Sequence, residues 1–408
     1  MSRRARSLVA LPLLLLGACR SVFGIDETGV AVDDGGAGDE GGIVADGSAH
    51  DASAAKKDGG ALSMGKDAGP SLCPSAAAVC QPETVVTGLL SPGELAVMGL
   101  KIAFREHAKI DGGKVSAVRV WDPAGACKQG SCLPTVTTGP NNYKLLAANA
   151  AHLCYTNESY ASNEYVACVK TNAAFTLERT VTNETWFYQA EFVETDTLLF
   201  GAPITQSTRA VRVFEPTTNN PPYSVVSNLT GSVDYVTAHP DAVAPWFGWV
   251  NSLDPAATDQ IGARSVGDPK LFSFIPQTRV VGLTSVGDNL VWLTDYEIRV
   301  ARYTAGIGTA LPNANVVTCD QGTSADYKQI APAPNAVVAV EGCDIPGSLG
   351  SKIVYYPLDG SAPTLLATAL SAVSSVVVLG DYVYYAISRL PADISDVPTE
   401  ELRRVRFR

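Results

Sequence analysis

The residues best placed to do chemistry in this chain are its cysteines. There are nine of them, at positions 19, 73, 80, 127, 132, 154, 168, 319 and 343. Cys19 stands apart, at the end of an apolar N-terminal run. The other eight are an even number, as a disulfide framework in an oxidising compartment requires. Their spacing suggests four local pairs: Cys73 with Cys80, Cys127 with Cys132, Cys154 with Cys168, and Cys319 with Cys343. Cys154 and Cys168 lie about equally far from a polar turn near Ala161, so paired antiparallel strands would bring them within bridging reach. Eight cysteines allow many connectivities, and the set is a geometric expectation. Zinc is the other chemistry open to thiolates. No Cys-x-x-Cys occurs, and only His152 stands close to a cysteine, Cys154, so a zinc site is disfavoured.

The four histidines, His50, His107, His152 and His239, fall singly. Neither H-E-x-x-H nor G-x-S-x-G is present, which removes the simplest metalloprotease and serine-hydrolase readings. Acidic side chains gather in stretches that read as long polar loops: Asp254, Asp259, Asp393, Asp396, Glu400 and Glu401. They could receive a cation or a basic ligand, or they could be ordinary solvated surface. The formal net charge of -11 argues against a phosphate-backbone partner, so nucleic acid is excluded.

The elements that must position these groups are strands. Ser371 to Arg408 reads as an apolar strand, a Gly380-Asp381 turn, a second apolar strand, a polar loop and a third strand, LRRVRF. Two runs parted by Gly-Asp signal a hairpin. Similar units recur back to about residue 90. Aligning the middle of each second strand places anchors at Ile102, Leu153, Leu199, Phe247, Val291, Val338 and Val383, 44 to 51 residues apart. A period in the mid-forties with several short strands per period implies a β-propeller with one four-stranded blade per period. The fourth strands are read at PTVTTG, FTLERTV, YSVVSNL, LFSFIP, NVVTC (Asn315 to Cys319) and PTLLATAL. The last unit stops after three strands, whereas an orphan strand, ETVVTGLL (Glu83 to Leu90), precedes the first. A sheet edge left open invites aggregation, so the orphan is expected to complete the last blade. The fold class expected is all-β: a seven-bladed β-propeller closed by its N-terminal strand and preceded by a disordered tether.

Residues 1 to 18 have a basic start and a short apolar core, too short to span a bilayer. With Cys19 they read LLGAC, which resembles the bacterial lipoprotein lipobox. That resemblance implies a signal peptide over 1–18, lipidation of Cys19 and a membrane-held N-terminus. Arg20 leans toward the outer membrane, with the domain periplasmic or surface-exposed at the cell envelope. Residues 19–72 are rich in Asp, Gly, Ala and Ser. From 25 to 72 they carry ten acids against three lysines, -7 of the total charge. Such a segment cannot bury enough apolar surface to fold and would reach about 40 Å as a flexible chain. The propeller is expected over 73–408, as a monomer.

Within the repeats, LVWLTD (Leu290 to Asp295) and IVYYPLDG (Ile353 to Gly360) loosely resemble YWTD-type propeller repeats. A propeller behind a lipobox and an Asp/Gly tether is similar to uncharacterised lipoproteins of myxobacteria. These resemblances imply a location and a fold, and no activity. Two functions are carried forward. The first is a non-catalytic scaffold that binds a protein or glycan, with no cofactor. The second is a propeller hydrolase or lactonase using a metal, calcium, in the central channel. An enzyme of that kind needs carboxylates or amides from several blades around one ion, whereas a scaffold needs only a shaped surface.

Overall fold

The computed structural model describes residues 80–408, except 111–112, 140–141, 159–164, 183–189, 204–207, 240–245, 253–258, 266–272, 278, 295–296, 303–308, 312–329, 342–350, 370–372 and 388–399. Cys19, Cys73, Cys319, Cys343, Asp254, Asp393 and Asp396 therefore lie outside the described residues. Among the described residues, no helix is long and apolar enough to cross a membrane.

The strands form seven four-stranded antiparallel sheets, and the fold is a seven-bladed β-propeller. The clasp strand β1 (Glu83–Leu89) comes first in the chain. Blade one follows with β2 (Pro92–Met98), β3 (Lys101–Ile110), β4 (Gly113–Trp121) and β5 (Thr135–Gly139). Blade two holds β6 (Asn142–Ala148), β7 (His152–Glu158), β8 (Tyr165–Lys170) and β9 (Leu177–Thr182). Blade three holds β10 (Ala190–Glu194), β11 (Thr197–Pro203), β12 (Thr208–Phe214) and β13 (Tyr223–Thr230). Blade four holds β14 (Ser232–His239), β15 (Trp246–Ser252), β16 (Asp259–Ser265) and β17 (Ser273–Gln277). Blade five holds β18 (Val280–Val286), β19 (Asn289–Thr294), β20 (Ile298–Arg302) and β21 (Thr309–Ala310). Blade six holds β22 (Ile330–Ala333), β23 (Ala336–Glu341), β24 (Ser351–Pro357) and β25 (Thr364–Ala369). Blade seven holds β26 (Val373–Leu379), β27 (Tyr382–Ile387) and β28 (Glu400–Arg406), with β1 as its outer strand.

Every second strand is apolar on both faces because each face serves a different seam. In β3, Ile102 and Phe104 pack toward blade seven while Ala103 packs toward blade two. In β19, Leu290 and Trp292 face blade four while Val291 and Leu293 face blade six. In β27, Val383 and Tyr385 face blade six, and Tyr384 and Ala386 face blade one. Side chains alternate with period two along a strand. A continuous apolar run buried on both faces is thus the sequence image of a sheet packed between two others.

The ring closes where the sequence analysis places the closure. β1 pairs antiparallel with β28, matching Glu83 to Arg404, Thr84 to Arg403, Val86 to Leu402 and Leu89 to Glu400. Val86 and Leu402 are fully buried between blades seven and one, with Val85 and Leu89 beside them. Outside this core, Arg404 donates to Glu83 at 2.7 Å and lies over the Tyr382 ring at 4.4 Å.

The described outer strand of blade five is Thr309–Ala310, paired with Val300 and Arg299; the strand expected at Asn315 to Cys319 lies outside the described residues. The charged stretch Arg105 to Lys114, which its composition would make a loop, is mostly strand: β3 and β4 run on as a paired ladder to Ile110 and Gly113. The third strand of blade four starts at Asp259, three residues before Gly262, and is the least regular in sequence. Its irregular look comes from Gly262, which lies opposite Trp249; a Cβ there would stand 2.2 Å from the indole. The glycine keeps that blade open to the largest buried side chain on its neighbouring strand.

Candidate functional site

Strand direction sorts the connections onto two faces. Turns joining first to second strands lie on one. Four of them carry a left-handed residue, with φ from +52° to +61°: Gly99, Gly287 and Gly380 at the first turn position and Asn335 at the second. The connections from second to third strand and from blade to blade lie on the other, the loop face.

The channel runs between these faces and is walled by the seven inner strands. Each is an edge strand whose free main-chain side looks inward. A cavity of about 250 Å³ opens there. Its wall is built from Ala and Val of β2, β6 and β26, Leu283 of β18 and Ile330 and Ala331 of β22, with Glu191 as its carboxylate. The hydroxyls of Thr237, Thr284 and Ser285 complete the lining, and Thr237 and Ser285 bond to each other across blades four and five at 2.9 Å. Most of this wall comes from the second half of each inner strand, the half nearer the tight turns.

Polar chemistry is denser at the loop-face ends of the seams. In blade one, Glu94 pairs with Arg105 at 2.8 Å, and Glu106 pairs with Arg119. Glu106 also accepts the Leu90 N–H at 3.0 Å, and Ser374 of blade seven donates to the Pro92 carbonyl at 2.7 Å. Third strands repeat one device. Asp259 opens β16 and accepts the Val280 N–H at 2.6 Å, and Ser351 opens β24 and accepts the Val373 N–H at 3.2 Å. Ser116 in β4 reaches the Tyr143 carbonyl at 3.3 Å. In each case a short polar side chain of one blade holds the first residues of the next blade's inner strand.

Of the six acids singled out from sequence, three fall among the described residues. Asp259 is buried in the role just given, and burial raises its carboxyl above the ordinary range against the opposing pull of the Val280 N–H and the Ser252 hydroxyl. Glu400 is buried at the start of β28. Glu401 is half-buried and is held below the usual carboxylate range by Arg403, which donates at 3.0 Å and 3.2 Å, with help from Thr84. Burial pushes the neighbouring Tyr385 phenol up to about 12. The structure does not bring Asp259 together with Glu400 and Glu401, which belong to different blades. Sequence reasoning missed Glu94, Arg105, Glu106 and Arg119. Their signal was charge on strands whose neighbours are apolar.

Two disulfides are present among the described residues. Cys127–Cys132 closes a loop in blade one with Cα atoms 5.8 Å apart. Cys154–Cys168 joins directly opposed positions of β7 and β8 at a Cα separation of 4.1 Å. Cys80 is also disulfide-bonded. With its sulfur bound to Cys168, Cys154 offers no thiolate to a metal. His152 beside it donates or accepts at Glu178 across 2.6 Å and stacks on Phe192. Among the described residues, no cluster of His, Cys, Asp or Glu is arranged to hold a metal ion.

No protein family matches the chain, and no curated protein does. Solved structures do. A chain from a structural and mechanistic analysis of two prolyl endopeptidases superposes with a TM-score of 0.51 at 12% identity, over 74% of this chain and 45% of that one. The β-propeller domain of the Trilobed protease from Pyrococcus furiosus gives 0.47 at 9% identity, over 79% and 94%. The Dos1 propeller gives 0.48 at 11%, over 80% and 95%. The chain thus spans less than half of the endopeptidase chain it matches, and likeness at this identity extends to the fold alone.

Proposed function

We propose that this chain is a lipid-anchored extracytoplasmic propeller that serves as a non-catalytic scaffold, binding a protein or glycan at the cell envelope. The observation that carries the reading is the channel wall. A propeller hydrolase or lactonase would gather carboxylates or amides from several blades around one ion. Here the wall is hydrocarbon from most blades, with Glu191 and three hydroxyls. Supporting it, the buried charges of blade one are paired within the blade, an arrangement that stiffens a frame. Three of the four longest sequence segments between strands, 311–329, 388–399 and 342–350, join second to third strands or blade to blade, and long connections on a rigid frame are where recognition usually resides. The anchor rests on Leu16-Gly17-Ala18-Cys19, with the acidic 19–72 segment as spacer and Arg20 favouring the outer membrane, periplasmic or surface-exposed.

The test has two arms. In a bacterial host the full chain is expected in the membrane fraction and labelled by a fatty-acid probe, and Cys19→Ala is expected to abolish both. The purified protein is expected to melt at the same temperature with calcium or with chelator. A calcium-dependent rise of several degrees would overturn the scaffold reading in favour of the metal-dependent enzyme. Retention of label in Cys19→Ala would overturn the anchor.

A further inference from the structure

The loop between β4 and β5 belongs to blade one, yet it grips the strand that closes blade seven. The Thr87 N–H of β1 donates to the Lys128 carbonyl at 3.0 Å, and Thr87 and Gln129 form a parallel bridge. Gly130 is buried against Gly88 so closely that a Cβ would stand 2.5 Å from the Gly88 carbonyl oxygen. Leu133 and the edge of Cys127 join Val85, Val86 and Leu89 in one core. The Trp121 indole donates to the Cys127 carbonyl at 3.2 Å and packs its ring against Tyr384 of blade seven at 5.7 Å. The three residues whose backbone meets the clasp, Lys128, Gln129 and Gly130, lie inside the small ring closed by Cys127–Cys132.

The two disulfides differ in access. Cys154 and Cys168 are fully buried between blades two and three. Cys132 is exposed and Cys127 half-exposed. A thiolate needs access to a sulfur to begin exchange, and exposed bridges are the labile ones. We propose that Cys127–Cys132 is a thiol-exchange site at which a dithiol reductant loosens the clasp that closes the propeller. One reductant thiolate attacks Sγ of Cys132, and Sγ of Cys127 leaves as thiolate and takes a proton. The second reductant thiolate then displaces Sγ of Cys132 and closes on itself as a cyclic disulfide. The protein pair gains two electrons and two protons, and the dithiol loses them. The 128–130 segment is then free of its covalent tie, and its hold on Thr87 and Gly88 weakens while the β1 to β28 ladder remains.

Hydrogen exchange on the full chain tests this. Two variants approach the contact differently: Cys127→Ser with Cys132→Ser removes the bridge, and Gly130→Ala keeps it but forces the loop off Gly88. Both are expected to speed exchange of amides 84–89 by at least about tenfold, with β7 and β8 unchanged. Wild-type protection of 84–89 in either variant would overturn the proposal. Should the serine variant fail to fold, the wild-type chain treated with dithiothreitol and alkylated replaces it. Cys127 and Cys132 are expected to label before Cys154 and Cys168, with faster exchange at 84–89. Labelling at 127 and 132 with no gain in exchange would sink the idea. The variants leave the bridge of Cys80, three residues ahead of β1, intact, and so separate its contribution from that of Cys127–Cys132.

Discussion

Asp259 shows how one side chain can look functional and be structural. In sequence it is an acid in a polar stretch, read as solvated or ligand-binding. In the fold the first residue of the next blade covers it, a contact no local pattern encodes. Its charge is desolvated, so the folded state holds the proton more tightly than the unfolded chain does. Between the ordinary and the raised value the folded form carries the extra proton, and stability falls as pH rises through that window. Asparagine can accept the same Val280 N–H without a buried charge. Asp259→Asn is therefore expected to stabilise the protein by roughly 1 kcal/mol at pH 7, the scale of one hydrogen-bond balance. The gain should vanish below about pH 4, where the aspartate is protonated in both states. Urea unfolding at the two pH values checks this; a less stable asparagine variant at neutral pH would contradict the burial account.

At the scale of elements, the clasp separates what charge contributes from what packing contributes. Glu83 with Arg404 is a partly exposed pair, 2.7 Å apart, and such pairs contribute at most about 1 kcal/mol. Val86 is fully buried in the closing seam. Glu83→Ala is expected to change stability by about 0.5 kcal/mol or less, whereas Val86→Asp should cost about 3 kcal/mol or more by burying an unpaired charge. Chemical denaturation of the two variants measures the contrast, and equal losses would mean that the ion pair closes the ring.

Most strands were legible for a related reason. An apolar run with a turn residue at its end, as in Tyr382 to Ile387 behind Gly380-Asp381, states both burial and pairing. Glu83 to Leu90 was legible as the closure because it resembles the fourth strands and lacks its own hairpin. Thr309–Ala310 was not, since two residues carry no period. The hairpin through Ile110 was obscured by its charged residues, which β-pairing tolerates at a blade's end. The ion pairs of blade one were hidden because each partner's meaning depends on the other, Glu94 on Arg105 and Glu106 on Arg119.

At the scale of the whole molecule, seven apolar seams form a circuit in which each second strand serves two. No blade is then free to melt without stripping one face from each neighbour. A single thermal transition is expected, reported alike by far-ultraviolet dichroism and by tryptophan fluorescence. The indoles Trp121, Trp249 and Trp292 sit in three different seams. Two separated midpoints would show that part of the ring folds alone.

The pairing of Glu83 with Arg404 also bears on how the chain acquires its shape during synthesis. The first strand to emerge finds its partner only after more than 300 residues have followed it (Thr84 to Glu401 spans 317). Until then blade seven has no edge for it to join. A nascent chain of this design keeps its ring open until Glu400–Arg406 has been made, however early Glu83–Leu89 emerges.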